Sequence, residues 1–497
     1  MTTPIASSST TRGSIFCPRC TNFIAGLIGL TAIGWSVADA EASQFQFPVQ
    51  LNNWSNYEDV IDDPVLPILL NNWSNYEDVV DDPVLPDAGQ GSARALSASS
   101  GFDIVIVPGS ALAANQDALD AFNRAATQWK RYIKDPITVT VNADLAPLGA
   151  GILGSTIPFF LRAGFDAAVN NIRNDAASEP GDGIVASLPG ASTFTAFVPT
   201  GFGISGNIRS AKSLLKAAGF TGLDGQFGAS DGSITFSTNF PFDFDNSDGV
   251  SLGAFDFETV AAHEIGHLLG FTSAVDIVDS GLNSGQTFPI PTNPFDLFRF
   301  QDDLPGSDPA TPAEFGVNAR EFRPGQVAIF DDTETEVMVS TGLTQGDGRQ
   351  ASHWKANELT GTLLGLMDPT LGFGEKATVT LKDLRALDLL GWDIELLAGD
   401  LSGDGFVGIE DLNIVLGNWN QTVTPGSLIE GDPSMDGFVG IEDLNVVLGN
   451  WNAGTPPSVS VIPEPTSAAL AGLLATWMLA NGRFGCRRRT NVLTAIA

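Results

Sequence analysis

The sequence predicts an α+β protein, a larger mixed body followed by a small α-helical calcium-binding module. Three observations predict it. Strand-like stretches come first with helices interspersed among them; one helix-forming run, Phe257 to Phe271, carries histidines four residues apart; and two copies of an Asp- and Gly-rich loop run into short amphipathic helices after residue 396.

The body opens with Ile104-Val-Ile-Val107, which reads as a buried strand, and Asn115 to Lys134 carries helical spacing at Leu119, Phe122, Ala126, Trp129 and Ile133. Ile137-Thr-Val-Thr-Val141 alternates as a strand, and Ser233-Ile-Thr-Phe-Ser237 predicts another. The run Phe242 to Gly253 predicts a loop leading into the histidine helix, with Asp256 as its cap and Gly270 as its stop. Leu381 to Leu390 closes the body as an amphipathic helix capped by Thr380 and ended by Gly391.

A length of 497 residues allows about two to four domains. Fifty-eight acidic residues stand against 24 basic ones, a net charge of -34, which repels polyanions and excludes nucleic acid as a partner. The three cysteines, Cys17, Cys20 and Cys486, all lie in terminal segments, so the body between them has no disulfide. Cys17-Pro-Arg-Cys20 has no second pair to complete a zinc site.

Arg12 and Arg19 precede the apolar run Phe23 to Val37 and then Ala38-Asp39-Ala40, so residues 1–40 read as a secretory signal peptide. Residues 41–100 read as a spacer or propeptide built on a tandem repeat, 51–69 and 70–88. The body takes 101–395 and the calcium module 396–455. In 456–497, Pro463-Glu464-Pro465 precedes an apolar stretch, Ser467 to Ala480, and then Arg483, Arg487, Arg488 and Arg489. The stretch is short for a permanent transmembrane helix, which predicts transient membrane anchoring. This tail resembles the PEP-CTERM sorting signal of certain Gram-negative bacteria. The resemblance implies an exosortase-type sorting enzyme as a partner and a destination at the cell surface, the outer envelope or outside the cell; an ordinary tail anchor is the alternative.

Within Val260-Ala-Ala-His263-Glu264-Ile-Gly-His267-Leu-Leu-Gly270-Phe271, residues four apart share one helical face, so His263 and His267 can bind one zinc ion at ~2.0–2.1 Å. Glu264 is not spent as a ligand, which leaves its carboxylate free to act as general base toward water. Histidine occurs only three times in the chain, so a chance match to this pattern is rare. Catalytic zinc needs a third protein ligand and an open position. Six residues after His267, where a metzincin has histidine, this chain has Ser273; a Glu or Asp further along could serve, and so could the remaining histidine, His353.

His353 stands in Ala351-Ser-His-Trp354-Lys355, and Gly365-Leu-Met367-Asp368-Pro369 follows. Segments 260–271 and 351–369 resemble the leishmanolysin-like, metzincin-like zinc metallopeptidases, without the cysteine pairs of leishmanolysin itself. The resemblance implies a zincin-like fold, His353 as third zinc ligand, Met367 as the methionine turn, and endopeptidase activity on polypeptide substrates with Glu264 catalytic. Of the tyrosines Tyr57, Tyr76 and Tyr132, none follows Met367, so the tyrosine oxyanion donor of some related enzymes has no counterpart.

Asp400, Ser402, Asp404 and Asp411 occupy positions one, three, five and twelve of a calcium loop, with Gly405 at the sharp turn and the Phe406 carbonyl at position seven. Asp432, Ser434, Asp436, Phe438 and Asp443 repeat the pattern around Gly437. The pair resembles a type I dockerin, which implies structural Ca²⁺ and a cohesin-like or other docking partner. The expected function is therefore an exported zinc endopeptidase. A surface adhesion or assembly protein with a structural zinc site is the rival, and a non-peptide zinc hydrolase is a third reading.

Overall fold

Four strands form the sheet that backs the histidine helix: β1 (Asp103–Pro108), β2 (Thr138–Ala146), β3 (Gly154–Pro158) and β4 (Ser230–Ser237). Their order is β1-β2-β4-β3, with β1, β2 and β4 parallel and β3 antiparallel at the edge, Thr156 opposite Ile234. The structure is a computed structural model describing residues 49–50, 82–85, 101–179 and 181–456. The expected signal peptide, most of the tandem repeat and the sorting tail beyond 456 lie outside the described residues. Among the described residues no helix is long and apolar enough to cross a membrane.

The expectation of a buried first strand needs correction. In β1, Ile104 is buried but Val105 and Val107 are 40% and 45% exposed, because β1 is the other edge of the sheet and only one of its faces meets the core. Helix α1 (Gln116–Lys130) starts where Asn115 accepts a hydrogen bond from the Ala118 amide at 3.2 Å. It ends at Lys130, short of Lys134: Pro136 follows closely, and Ile133 instead bridges to Ile394.

Helix α2 (Phe257–Leu268) carries His263, Glu264 and His267, and every residue of it but Glu258 is buried. Its axis is fixed by α1, where Trp129 Nε1 donates to the Ala262 carbonyl at 2.9 Å and Gln128 to Glu258 at 2.8 Å. Helix α3 (Leu381–Leu390) has the expected Thr380 cap, with Gly391 at φ 111° ending it.

Between α2 and the third histidine the chain contributes to a separate five-stranded sheet: Glu336–Val339, Ala328–Asp331, Arg299–Gln301, Arg320–Glu321 and, from upstream, Ala196–Phe197. Phe271, Phe295, Phe330 and Trp354 pack together beneath it, the closest rings 4.6 Å apart. The result is a mixed α+β body of several small sheets.

Helices α4 (Ile409–Gly417) and α5 (Ile441–Gly449) follow the two Asp- and Gly-rich loops, and this segment packs on the body rather than trailing from it. Tyr132 donates its hydroxyl to the Leu401 carbonyl at 3.1 Å, Thr378 and Ser427 share a 2.6 Å hydrogen bond, and Lys376 pairs with Glu430 at 2.7 Å.

Candidate metal centre

The α2 cap is as local as its sequence: Asp256 accepts from the Thr259 amide at 3.0 Å and from its hydroxyl at 2.6 Å. At the other end Gly270, at φ 114°, turns the chain back so that the Phe271 amide reaches the Gly266 carbonyl. A side chain at Gly270 would meet Leu214 at 2.7 Å as well as the unfavourable φ. That turn aims the Phe271 carbonyl at His267 Nδ1, 2.8 Å away.

The other two histidines are fixed in the same way. His263 Nδ1 is 2.9 Å from the Leu366 carbonyl and His353 Nδ1 is 3.2 Å from the Gln350 carbonyl. With a carbonyl at each Nδ1, the proton sits there and each Nε2 presents a lone pair. The three Nε2 atoms converge, 3.1, 3.2 and 3.2 Å apart. Three lone pairs facing one another repel unless a cation lies among them. Bonds of ~2.0–2.1 Å at tetrahedral angles would hold donor nitrogens ~3.3 Å apart, so the triangle fits a zinc-sized ion. Burial pushes the His263 imidazole down to about 4, and His267 and His353 well below their ordinary value, which favours the neutral form that a metal ligand needs.

His353 reaches the centre because its backbone is laced to the five-stranded sheet. The Ser340 amide donates to the His353 carbonyl at 3.0 Å and Lys355 to Met338 at 2.9 Å. Asp276, buried, accepts from the Ala351 amide at 2.6 Å and binds the Ser352 hydroxyl, and burial raises its carboxyl to about 7. Asp383 does the same for the residues that follow His353. It accepts from Trp354 Nε1 at 2.7 Å, from the Leu366 amide at 2.8 Å and from the Met367 amide at 3.3 Å. Neither carboxylate was foreseen from the sequence; the Thr380-x-x-Asp383 capping box was the one available signal.

Met367 is fully buried against α2, and a methyl group built on Gly266 would overlap its sulfur. The residue expected as the methionine turn thus packs on the helix between the two histidines. Glu264 is also fully buried. Its Oε2 accepts from the Thr156 hydroxyl at 2.6 Å, while Oε1 has no donor. Burial pushes its carboxyl well above the usual range against the opposing effect of Thr156. Strand β3 approaches so closely that a Cβ at Gly154 would sit 2.5 Å from Oε1.

His263, Glu264, His267 and His353 have no solvent exposure, which corrects the expectation of a metal face open to solvent. Strand β3 covers Glu264 at Gly154. A cavity of about 520 Å³ lies between the body and the second Asp- and Gly-rich loop, lined by Leu366, Lys376, Glu430 and Asp436.

In that second loop Asp432, Asp436 and Asp443 bring carboxylate oxygens within 4.8 Å of one another. Asp432 also accepts from the Ser434 hydroxyl at 3.0 Å and the Gly437 amide at 2.7 Å. The first loop repeats the framework: Asp400 accepts from Ser402 at 3.1 Å and from Gly405 at 2.8 Å, and Asp411 from Gly408 at 2.7 Å. Asp404 does not join Asp400 and Asp411 in an equally tight group. Phe406 and Phe438 hold their loops by donating amides to Asp404 and Asp436 at 2.9 and 2.8 Å.

Comparison with family models, curated proteins and solved structures finds no match to this chain.

Proposed function

We propose that this chain is an exported zinc-dependent endopeptidase in which His263, His267 and His353 hold the metal and Glu264 is the general base. The observation that carries the reading is the convergence of three Nε2 atoms at 3.1–3.2 Å, each ring turned by a backbone carbonyl at its Nδ1. Three neutral imidazoles suit zinc in the borderline-soft range of metals. When bound, zinc supplies a Lewis acid that polarises a carbonyl and acidifies water.

The protein's own part is proton handling and orientation. Thr156 occupies Oε2 of Glu264, and a bound dication would favour the carboxylate that burial alone disfavours, so Oε1 is the oxygen left to take a proton from water and return it to the leaving amine. The zincin-like and leishmanolysin-like character of the body, a polypeptide as substrate, Ca²⁺ in the dockerin-like loops, and sorting through the PEP-CTERM-type tail belong to the same proposal.

Complete burial of the centre favours a second reading, a surface adhesion or assembly protein whose zinc is structural. Against it stands the ligand count. A structural site takes four protein ligands, and among the described residues no fourth His, Cys, Asp or Glu joins the three histidines. On the enzyme reading, substrate enters only after β3 or its neighbours move aside.

Metal analysis combined with Glu264→Gln tests the choice. Wild type should bind one zinc at the three histidines and cleave a denatured protein, and the variant should keep the zinc and lose cleavage. Wild type that holds zinc yet cleaves no polypeptide would leave the second reading standing.

A further inference from the structure

Residues 82–85, the described part of the second repeat, are bound to the body at a specific site. The Arg162 amide donates to the Pro83 carbonyl at 2.9 Å and the Leu85 amide to the Arg162 carbonyl at 2.7 Å, which sets Val84 beside the strand Phe160–Gly164 in parallel. Asp82 Oδ2 accepts from Arg209 Nε at 2.6 Å, with both side chains at most 6% exposed. The Arg209 guanidinium lies 3.4 Å over the Phe160 ring, and Leu85 is buried while Val84 points outward. The site therefore reads a carboxylate, two backbone groups and a leucine, and leaves the valine side chain unread.

The same chemistry is written twice in the chain. Residues 51–67 match 70–86 at every position except Ile61 in place of Val80. Asp63-Pro64-Val65-Leu66 thus offers the carboxylate, the proline carbonyl, the amide and the leucine at identical spacing, 19 residues upstream of Asp82-Pro83-Val84-Leu85. One site faces two equivalent segments on one tether, each at high effective concentration. A guanidinium buried as deeply as Arg209 is costly without a carboxylate, so a vacancy left by one segment favours entry of the other.

We propose that the edge of Phe160–Gly164, with Arg209, is a segment-binding site for an Asp-Pro-x-Leu peptide that accepts 63–66 in exchange for 82–85 within one chain. Exchange moves this point of attachment by 19 residues and shortens the connection to the other described attachment, where Val49–Gln50 pairs with Thr370–Leu371. It rests on none of the metal chemistry.

The test compares the full-length wild type with Asp63→Asn, Asp82→Asn and the double variant by thermal melting, hydrogen exchange and size exclusion. Each single variant should melt within ~1 °C of wild type, because the intact copy fills the site. The double variant should melt roughly 5 °C lower, the loss expected from a buried, unpaired guanidinium. In Asp82→Asn, slow exchange should pass from the Leu85 amide to the Leu66 amide while the protein stays monomeric. The proposal is overturned if Asp82→Asn alone melts as low as the double variant, if Leu66 stays unprotected in it, or if the double variant melts with wild type. A concentration-dependent dimer of Asp82→Asn would put a neighbour's segment in the site and overturn exchange within one chain.

Discussion

Thr156 donates its hydroxyl to Glu264 Oε2 at 2.6 Å and lies 2.9 Å from the Glu264 carbonyl, so one edge-strand side chain holds both the candidate base and the helix that carries it. Thr156→Val keeps the shape and removes the donor. It should lower stability by about 1–3 kcal/mol in urea denaturation, the cost of a buried polar group left without its partner. Thr156→Ser should recover most of that loss. Zinc content should not change in either variant, and on the peptidase reading cleavage should fall in Thr156→Val alone.

Gly266 and Met367 are coupled by space. Alanine in a helix interior is ordinarily better than glycine by about 1 kcal/mol, yet a methyl at 266 would overlap the Met367 sulfur. Gly266→Ala should therefore destabilise, by about 1–3 kcal/mol. In a double-mutant cycle with Met367→Ala the two costs should fall short of additivity by about 1 kcal/mol or more, measured by chemical denaturation. Additive costs would show that Met367 does not press on the helix.

Asp383 fixes the turn whose Leu366 carbonyl orients His263. Asp383→Ala should weaken zinc binding by about 10–100-fold in competition with a chromogenic chelator, the usual size of an outer-shell effect. Asp383→Asn, which keeps one acceptor oxygen, should lose less.

Glu179 gives a pH prediction. Burial, followed by contact with Asp393 and Asp182, pushes its carboxyl up to about 10. The folded state then binds a proton that the unfolded state has released over the whole interval from the ordinary carboxylate value to about 10. Stability from this group is full below that interval and is lost as pH rises through it. Glu179→Gln removes the titration. The melting temperature of the variant relative to wild type should rise steadily from pH 5 to pH 9, with the variant the more stable at pH 8. A constant difference across that range would show that Glu179 does not carry the proton.

The parts of the centre that were legible in the sequence are those with local grammar. Helix α2, its Asp256 cap and its Gly270 turn follow from residues within a few positions of one another, as do Thr380, α3 and Gly391. His353 could be named because the chain has no other histidine to spare and because Ser-His-Trp and the later methionine matched a known pattern. Strand β3 and Thr156 were missed: Gly154-Ser-Thr-Ile-Pro158 has too few apolar residues to alternate, and it is a strand only because β4 lies beside it. Asp276 was invisible, and Asp383 showed only its capping box, for another reason. They serve backbone amides, and a backbone amide leaves no mark in a residue alphabet.

Each imidazole takes its orientation from a different stretch of chain, at Phe271, Gln350 and Leu366. Residue 366 is made last. A growing polypeptide therefore offers no finished grip until residue 366 has emerged, and on the zinc reading metal capture becomes a late event that follows assembly of everything before it. Any proteolytic activity the centre possesses would then stay silent throughout synthesis, with chain order itself serving as the timer.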